Sequence, residues 1–156
     1  MTDFKKLTPD EVAKTVAETM YRKDKTSQHL GIALKEIKAG SAVMTMRVVD
    51  SMLNGHNICH GGYIFTLADS AFAFACNAYN QSTVAQGAQI NFLKAVPLDT
   101  LLTATAKEIH RKGRTGLYDV EVTNENNELV ATFRGNSHTI KGQTIPGLNE
   151  NEEEKS

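Results

Sequence analysis

Asp69 is the one charged side chain in the stretch NGHNICHGGYIFTLADSAFAFACNAYN, residues 54–80, and it lies in the middle of the most apolar run of the chain. Removing a carboxylate from water is costly unless something offsets it. Asp69 therefore either faces water or is required there by the fold or its chemistry. On a helix over 61–79, turning about 100° per residue, Gly62, Thr66, Ser70, Ala73 and Asn77 fall to one side of Asp69 within roughly 100°. No large apolar side chain shares that arc. Ile64, Phe65, Leu67, Ala71, Phe72, Phe74 and Cys76 fill the rest of the circumference. So apolar a helix does not lie on the outside of a protein, so its narrow polar stripe reads as the wall of a cavity or an interface. Thr66 and Ser70 are expected to touch whatever occupies it. At the start of the same helix, HGG places two glycines where backbone N–H groups are unpaired and the dipole is positive. Amides without a neighbouring Cβ can be approached closely by an oxygen and can polarise a carbonyl.

Two other groups of residues invite chemistry. HNICH offers His56, Cys59 and His60, but it lacks the paired spacings of a zinc site and no second cluster follows, so no metal is expected. Cys76 lies within the apolar helix as a core thiol, and Cys59 has no base motif beside it. HRKGRTG, residues 110–116, concentrates His110, Arg111, Lys112 and Arg114 in a chain of net charge −1. It is either a solvated turn between strands or a set of cations for a phosphate.

The elements that must position these groups can be read from caps and periodicity. Thr8, Pro9, Asp10 and Glu11 form a helix start, and the N-terminal helix is expected over 8–22. Alternation in HLGIALKEIKAGSAVMTMRVVDSM gives two strands turning at Ala39-Gly40, and the long helix occupies 61–79. Strand-like runs follow at 83–94, 100–110, 115–123 and 128–140, the last two joined by NENNE. The order α-β-β-α-β-β-β-β implies an α+β domain over 1–141, with about six antiparallel strands packed on one central helix. Residues 142–156 are acidic, lack an apolar period and are expected to be a disordered tail.

The 156 residues, 40% hydrophobic and 22% charged, suit one soluble domain. The absence of a basic excess argues against a nucleic-acid partner. Two cysteines are too few for a disulfide framework and the N-terminus has no apolar h-region, so a cytoplasmic location is expected. A membrane span over 61–79 would place Asp69 at its centre, at roughly 2.5–3.5 kcal/mol, and none is expected.

LNGHNICHGGYIFTLADSAFA resembles the signature of hotdog-fold acyl-CoA thioesterases, and most of all the PaaI group, the (hydroxy)phenylacetyl-CoA thioesterases of phenylacetate degradation. The likeness extends through NFLKAV, TGLYDVEV and FRGNSHTI. It implies a sheet wrapped around the long helix, a homodimer with shared active sites and a homotetramer of such pairs. It implies hydrolysis of an acyl-CoA, of phenylacetyl or related aromatic type, to the acid and CoA, with no cofactor beyond the CoA of the substrate. Gly61 would polarise the thioester carbonyl and Asp69 would act as nucleophile or general base. Asn54 and His60 match positions near the site, Asn54 first of all as a turn residue and His60 as a brace at the helix start. With a CoA substrate, Arg111, Lys112 and Arg114 become candidates for its phosphates. Rival readings are a medium-chain aliphatic substrate, a non-catalytic acyl-CoA-binding or regulatory module on the same scaffold, and a hydratase, for which no motif is seen.

Overall fold

Residues 6–148 are described in the computed structural model of the protein. Thr8 starts helix α1 (Pro9–Lys23): its hydroxyl accepts from the Glu11 N–H at 3.2 Å, and the Glu11 carboxylate accepts from the Thr8 N–H at 3.3 Å. This reciprocal cap satisfies two donors that a helix start leaves open. A short helix, α2 (Lys25–Leu30), follows where none was expected. The Asp24 carboxylate caps it through the Ser27 N–H at 2.9 Å, and Gly31 ends it at φ 69°. Strands β1 (Ala33–Lys38) and β2 (Ser41–Arg47) turn at Ala39-Gly40 as expected.

Helix α3 (Gly61–Asn77) ends two residues short of the expected 79. There the Asn77 amide donates to the Thr83 carbonyl at 2.9 Å and accepts from the Thr83 N–H at 3.0 Å, tying the helix end to the next strand. Asn77 is buried by this clamp, so it leaves the polar stripe on which the helical angle had placed it. Strands β3 (Thr83–Phe92), β4 (Leu101–Lys112), β5 (Thr115–Thr123) and β6 (Leu129–Thr139) complete one six-stranded sheet. Its order is β1-β2-β4-β5-β6-β3, with every neighbouring pair antiparallel.

The α+β arrangement expected from the sequence is the one observed. Alternation drives it: Leu102, Ala104 and Ala106 of β4 and Tyr118, Val120 and Val122 of β5 are all buried against α3, while the residues between them are more exposed. From the helix side Leu67, Ala68, Ala71, Phe72 and Ala75 complete the same core. Small residues on both surfaces let the helix axis approach the sheet, and Phe72 fills the remaining space, with its ring 5.5 Å from Tyr118 and 5.8 Å from Phe133. Two chain segments lie outside this plan. β3 pairs on one side only, with β6, and among the described residues its other edge meets no strand. Residues 142–148, the start of the expected tail, are held beside the end of α3, where the Asn80 amide donates to the Ile145 carbonyl and accepts from its N–H. The rest of that expected tail, 149–156, lies outside the described residues. Among the described residues no helix is long and apolar enough to cross a membrane.

The contact of Phe72 with β6 leaves no room for a Cβ at Gly135, which would stand 2.8–2.9 Å from three atoms of the ring. Gly135→Ala is expected to cost about 1–3 kcal/mol, the usual penalty for overpacking a filled core. The check is a lowered urea midpoint; a midpoint equal to wild type would mean that α3 is not seated on β6 through this contact.

Candidate active site

The loop before α3 is built by Asn54. Its side-chain oxygen accepts from the N–H groups of His56 at 2.9 Å and Ile58 at 3.3 Å, and its own N–H donates to the Ile58 carbonyl at 2.8 Å. Two further bonds anchor the loop: Cys59 N–H to the Val96 carbonyl and His60 N–H to the Met52 carbonyl, both at 2.8 Å. Asn54 is thus the turn residue expected from its type. His60 caps α3, its Nδ1 accepting from the Gly62 N–H at 2.9 Å. With its Nδ1 lone pair so engaged, neutral His60 carries its proton on Nε2. A brace at the helix start is what this arrangement makes of it.

The cap consumes the Gly62 donor and leaves the Gly61 N–H with no acceptor among the described residues. It points out of the first turn, at the positive end of the helix dipole. A residue that sequence reasoning passed over sits directly on it. The Phe92 ring, from the end of β3, would stand 2.8 Å from a Cβ at position 61, and Phe92 itself is 53% exposed. A Cβ at position 61 would press on this movable ring, and the amide is flanked by an exposed aromatic face.

Asp69 lies eight residues further along α3, about 12 Å along its axis. It is half-buried, and its carboxylate has no hydrogen bond or ion pair among the described residues. Burial alone raises its pKa above the ordinary carboxylate value. Gly62, Thr66, Ser70 and Ala73 are not fully buried, whereas Leu67, Ala68, Ala71 and Phe72 are, so the stripe read from helical angles is the face the sheet leaves uncovered. The Thr66 hydroxyl donates back to the Gly62 carbonyl at 2.9 Å, while the Ser70 hydroxyl has no partner among the described residues. The two cysteines take no part: both are free and buried, and burial pushes the Cys59 thiol up to about 11 and the Cys76 thiol up to about 12.

The basic turn stands at the opposite end of α3 from Gly61. Lys112 and Arg114 extend into solvent around Gly113, between β4 and β5, whereas Arg111 is stacked on Tyr79, just past the helix end. Glu108 and Tyr118 complete that cluster and were not singled out in the sequence. A signal existed: Leu102, Ala104, Ala106 and Glu108 share one phase of β4, so an acid falls on the buried face. A single chain therefore gathers Asn54, His60 and Gly61 at one end of the helix, Thr66, Asp69 and Ser70 at its middle, and the basic residues at the other end. It does not bring the Gly61 amide to the Asp69 carboxylate. Among the described residues no three His, Cys, Asp or Glu side chains are placed to hold a metal ion.

Comparison with known proteins follows the same lines. Residues 56–131 match the family described as the thioesterase superfamily. The chain is 47% identical over 131 residues to the acyl-coenzyme A thioesterase PaaI of Escherichia coli K12, covering 84% of this chain and 93% of that protein. The solved structure of the E. coli PaaI protein from the phenylacetic acid degradation operon superposes with a TM-score of 0.86 at 43% identity, covering 87% of this chain and 99% of that one. A hypothetical thioesterase protein of Streptococcus pneumoniae TIGR4 solved with coenzyme A is similar at a TM-score of 0.68 and 31% identity, over 72% of this chain and 90% of that one.

A carboxylate whose pKa is raised in the folded protein opposes folding when it is ionised. The native state then holds the proton over a window where the unfolded chain has lost it, so stability falls as pH rises through that window. Asp69→Asn is expected to be at least as stable as wild type at pH 7, and the wild type is expected to close the gap as pH falls toward 4. Urea midpoints of both proteins at the two pH values check this; a variant clearly less stable at pH 7 would mean that Asp69 has a favourable partner.

Proposed function

We propose how this chain, which belongs to the thioesterase superfamily and is an acyl-CoA thioesterase of the PaaI type, assembles and runs its active site. One observation carries the reading: among the described residues the Gly61 amide has no acceptor and the Asp69 carboxylate no partner, and the two stand eight residues apart on one rigid helix, too far apart to serve one carbonyl. A nucleophile and an oxyanion donor must both come within roughly 3–3.5 Å of the reacting group. Two copies related by a two-fold axis satisfy this, with Gly61 of one facing Asp69 of the other. The open edge of β3, with Val84 and Phe92 exposed, supports such pairing, because an edge strand presents a row of unpaired backbone groups to a second strand. A homotetramer of these dimers is the further assembly we adopt from the family resemblance, and native mass spectrometry counts the subunits.

In the assembled site the thioester carbonyl accepts from the Gly61 N–H. Asp69 either takes a proton from water as that water attacks the carbonyl carbon, or attacks the carbon itself to form an anhydride that water then cleaves. Either way the C–S bond breaks, the thiolate of CoA leaves and is protonated, and the free acid remains. Single turnover in ¹⁸O-water with a hydroxylamine quench separates the routes. Attack by Asp69 gives either unlabelled acid with the label in the Asp69 carboxylate, when water opens the anhydride at the aspartyl carbon, or an anhydride that hydroxylamine traps. General-base catalysis gives labelled acid and no trapped species. His60 braces the amide, Asn54 holds the loop, and Thr66 and Ser70 line the wall beside Asp69. The acyl group is of phenylacetyl or related aromatic type, supported by the likeness to E. coli PaaI and by the Phe92 ring beside Gly61. A medium aliphatic chain is the competitor. A cytoplasmic location is part of the same reading, supported by two cysteines that are free.

Asp69→Asn is expected to lower kcat by 10²-fold or more as an order of magnitude, since an amide is neither an anionic nucleophile nor an effective base. In the wild type, kcat/KM should fall as pH drops through the raised pKa of Asp69, because the ionised form is the active one. Near-wild-type turnover by a folded Asp69→Asn protein would remove Asp69 from the chemistry. Turnover across a panel of acyl-CoAs names the acyl group, and tight binding with no turnover would favour a binding module instead.

Sharing of the site is tested by mixing two inactive variants, Asp69→Ala and Gly61→Pro. Proline fits the first turn of a helix and removes the donor, and the exposed Phe92 ring has solvent to turn into. Refolded together at equal ratio, half the dimers should be mixed with one intact site each, restoring about a quarter of wild-type activity. Mixed dimers that stay inactive would place both groups of a site on one chain.

The third test concerns the basic turn. Neutralising Lys112 or Arg114 should raise KM for an acyl-CoA more than for the matching pantetheine thioester, which lacks the nucleotide. Equal effects on both would assign these residues to folding or assembly.

A further inference from the structure

We propose that Glu108 is a positioning residue: with Tyr79 it holds the Arg111 guanidinium flat and outward at the C-terminal end of α3, as a preset donor for a phosphate of the coenzyme. This rests on the acyl-CoA reading above and adds to it the residues that fix the phosphate-binding cation.

The cluster is assembled from three elements. Glu108 follows the buried phase of β4, and a β-bulge between Glu108 and His110 shifts the register beyond it. Its Oε1 accepts from the Tyr79 hydroxyl at 2.9 Å and from the Tyr118 hydroxyl at 3.0 Å. Burial first, and the Glu108 carboxylate second, raise both phenol pKa values, so the hydroxyls stay protonated and keep donating. Two hydrogen bonds to one oxygen are a large commitment for a side chain that is 27% exposed, and they fix the carboxylate in place.

Arg111 completes the arrangement on the solvent side. Its guanidinium carbon lies 3.4 Å from the centroid of the Tyr79 ring, and its Nε lies 3.6 Å from Glu108 Oε1. Stacking on a ring and pairing with a fixed carboxylate restrict a long side chain that would otherwise sample many rotamers. The guanidinium nevertheless makes no hydrogen bond among the described residues, and the side chain is 44% exposed. Its donors are oriented and unused. A purely structural ion pair would spend them.

Its location matches the need. Cys76 and Arg111 line one small cavity with Tyr79 and Tyr118. Cys76 is seven residues from Asp69, two helical turns along the same face, or about 10 Å. The fixed cation thus stands beyond the carboxylate toward the C-terminal end of α3, with Lys112 and Arg114 next to it in sequence. An extended substrate with a thioester at one end and phosphates at the other spans this distance. Holding Arg111 before the substrate arrives reduces the ordering that binding must otherwise supply.

The experiment measures kcat/KM for phenylacetyl-CoA and for phenylacetyl-pantetheine, and takes their ratio in wild type, Arg111→Ala, Tyr79→Leu, Tyr79→Phe and Glu108→Gln. Thermal melts accompany each variant, and Tyr79, which is only partly buried, keeps the test open if Glu108→Gln does not fold. The ratio is expected to fall about 3- to 10-fold in Arg111→Ala, Tyr79→Leu and Glu108→Gln, through KM for the CoA substrate. Tyr79→Phe keeps the ring face and should retain most of the ratio. If Arg111→Ala lowers the ratio while Tyr79→Leu and Glu108→Gln leave it unchanged, the positioning role is overturned and the thioesterase reading stands. A ratio that rises in Glu108→Gln means the carboxylate competes with the phosphate, which also overturns it. If the wild type hydrolyses no acyl-CoA in a panel, the proposed function falls and this inference falls with it.

Discussion

An α-helix is a rigid ruler, with about 1.5 Å of rise for every residue. On α3 that ruler sets Gly61 and Asp69 eight residues apart and forbids their meeting within one chain. The N–H of the first turn cannot bend toward the third, and the side chain of Asp69 is too short to reach back. What the chain does supply is an amide at the start of the helix and a carboxylate on its exposed stripe, each without a partner among the described residues. The rest of the architecture serves to keep that stripe straight, uncovered and correctly aimed.

Packing accomplishes this through residue size. Alanines on α3 and β4, and glycine on β6 beneath Phe72, bring the helix close to the sheet on its apolar side. Interlocked in this way, the helix cannot rotate about its axis without displacing aromatic rings. The uncovered side is therefore fixed as well. At the N-terminal end His60 and Asn54 fix the phase of the first turn, and at the C-terminal end Asn77 ties the last turn to β3. Against this rigid background Asp69 keeps its carboxylate half out of water with no partner among the described residues to offset it. Such a liability is characteristic of sites where chemistry, not stability, determines the residue.

The parts of this arrangement that were legible in the sequence are those governed by short-range periodicity. A 3.6-residue period over the apolar run located α3 and the stripe around Asp69, and two-residue alternation located the strands to within a few residues. α2 escaped because six residues carry too little period to read, although Asp24 and Gly31 were in place as its caps. Asn77 was put on the stripe by its angle, but its amide is drawn to Thr83, a contact that no angular rule includes. Phe92 over Gly61 and Arg111 over Tyr79 are pairings of residues about 30 positions apart. The second also depends on a bulge in β4, and a one-residue shift in a strand reverses which face a side chain takes.

The strand order has a consequence for the nascent chain. β3 emerges from the ribosome directly after α3, yet its partner within the chain is β6, the last strand to be made. While β4, β5 and β6 are being added, β3 has both edges open and α3 lacks most of the sheet that covers it. Long-range antiparallel closure of this kind is slow and leaves apolar surface exposed to other chains. Even after β6 arrives, the outer edge of β3 stays free until another molecule meets it. Crowded synthesis thus presents the same strand with two competing fates, correct pairing and clumping. Yield of soluble protein during expression should accordingly depend on how fast the last three strands are translated.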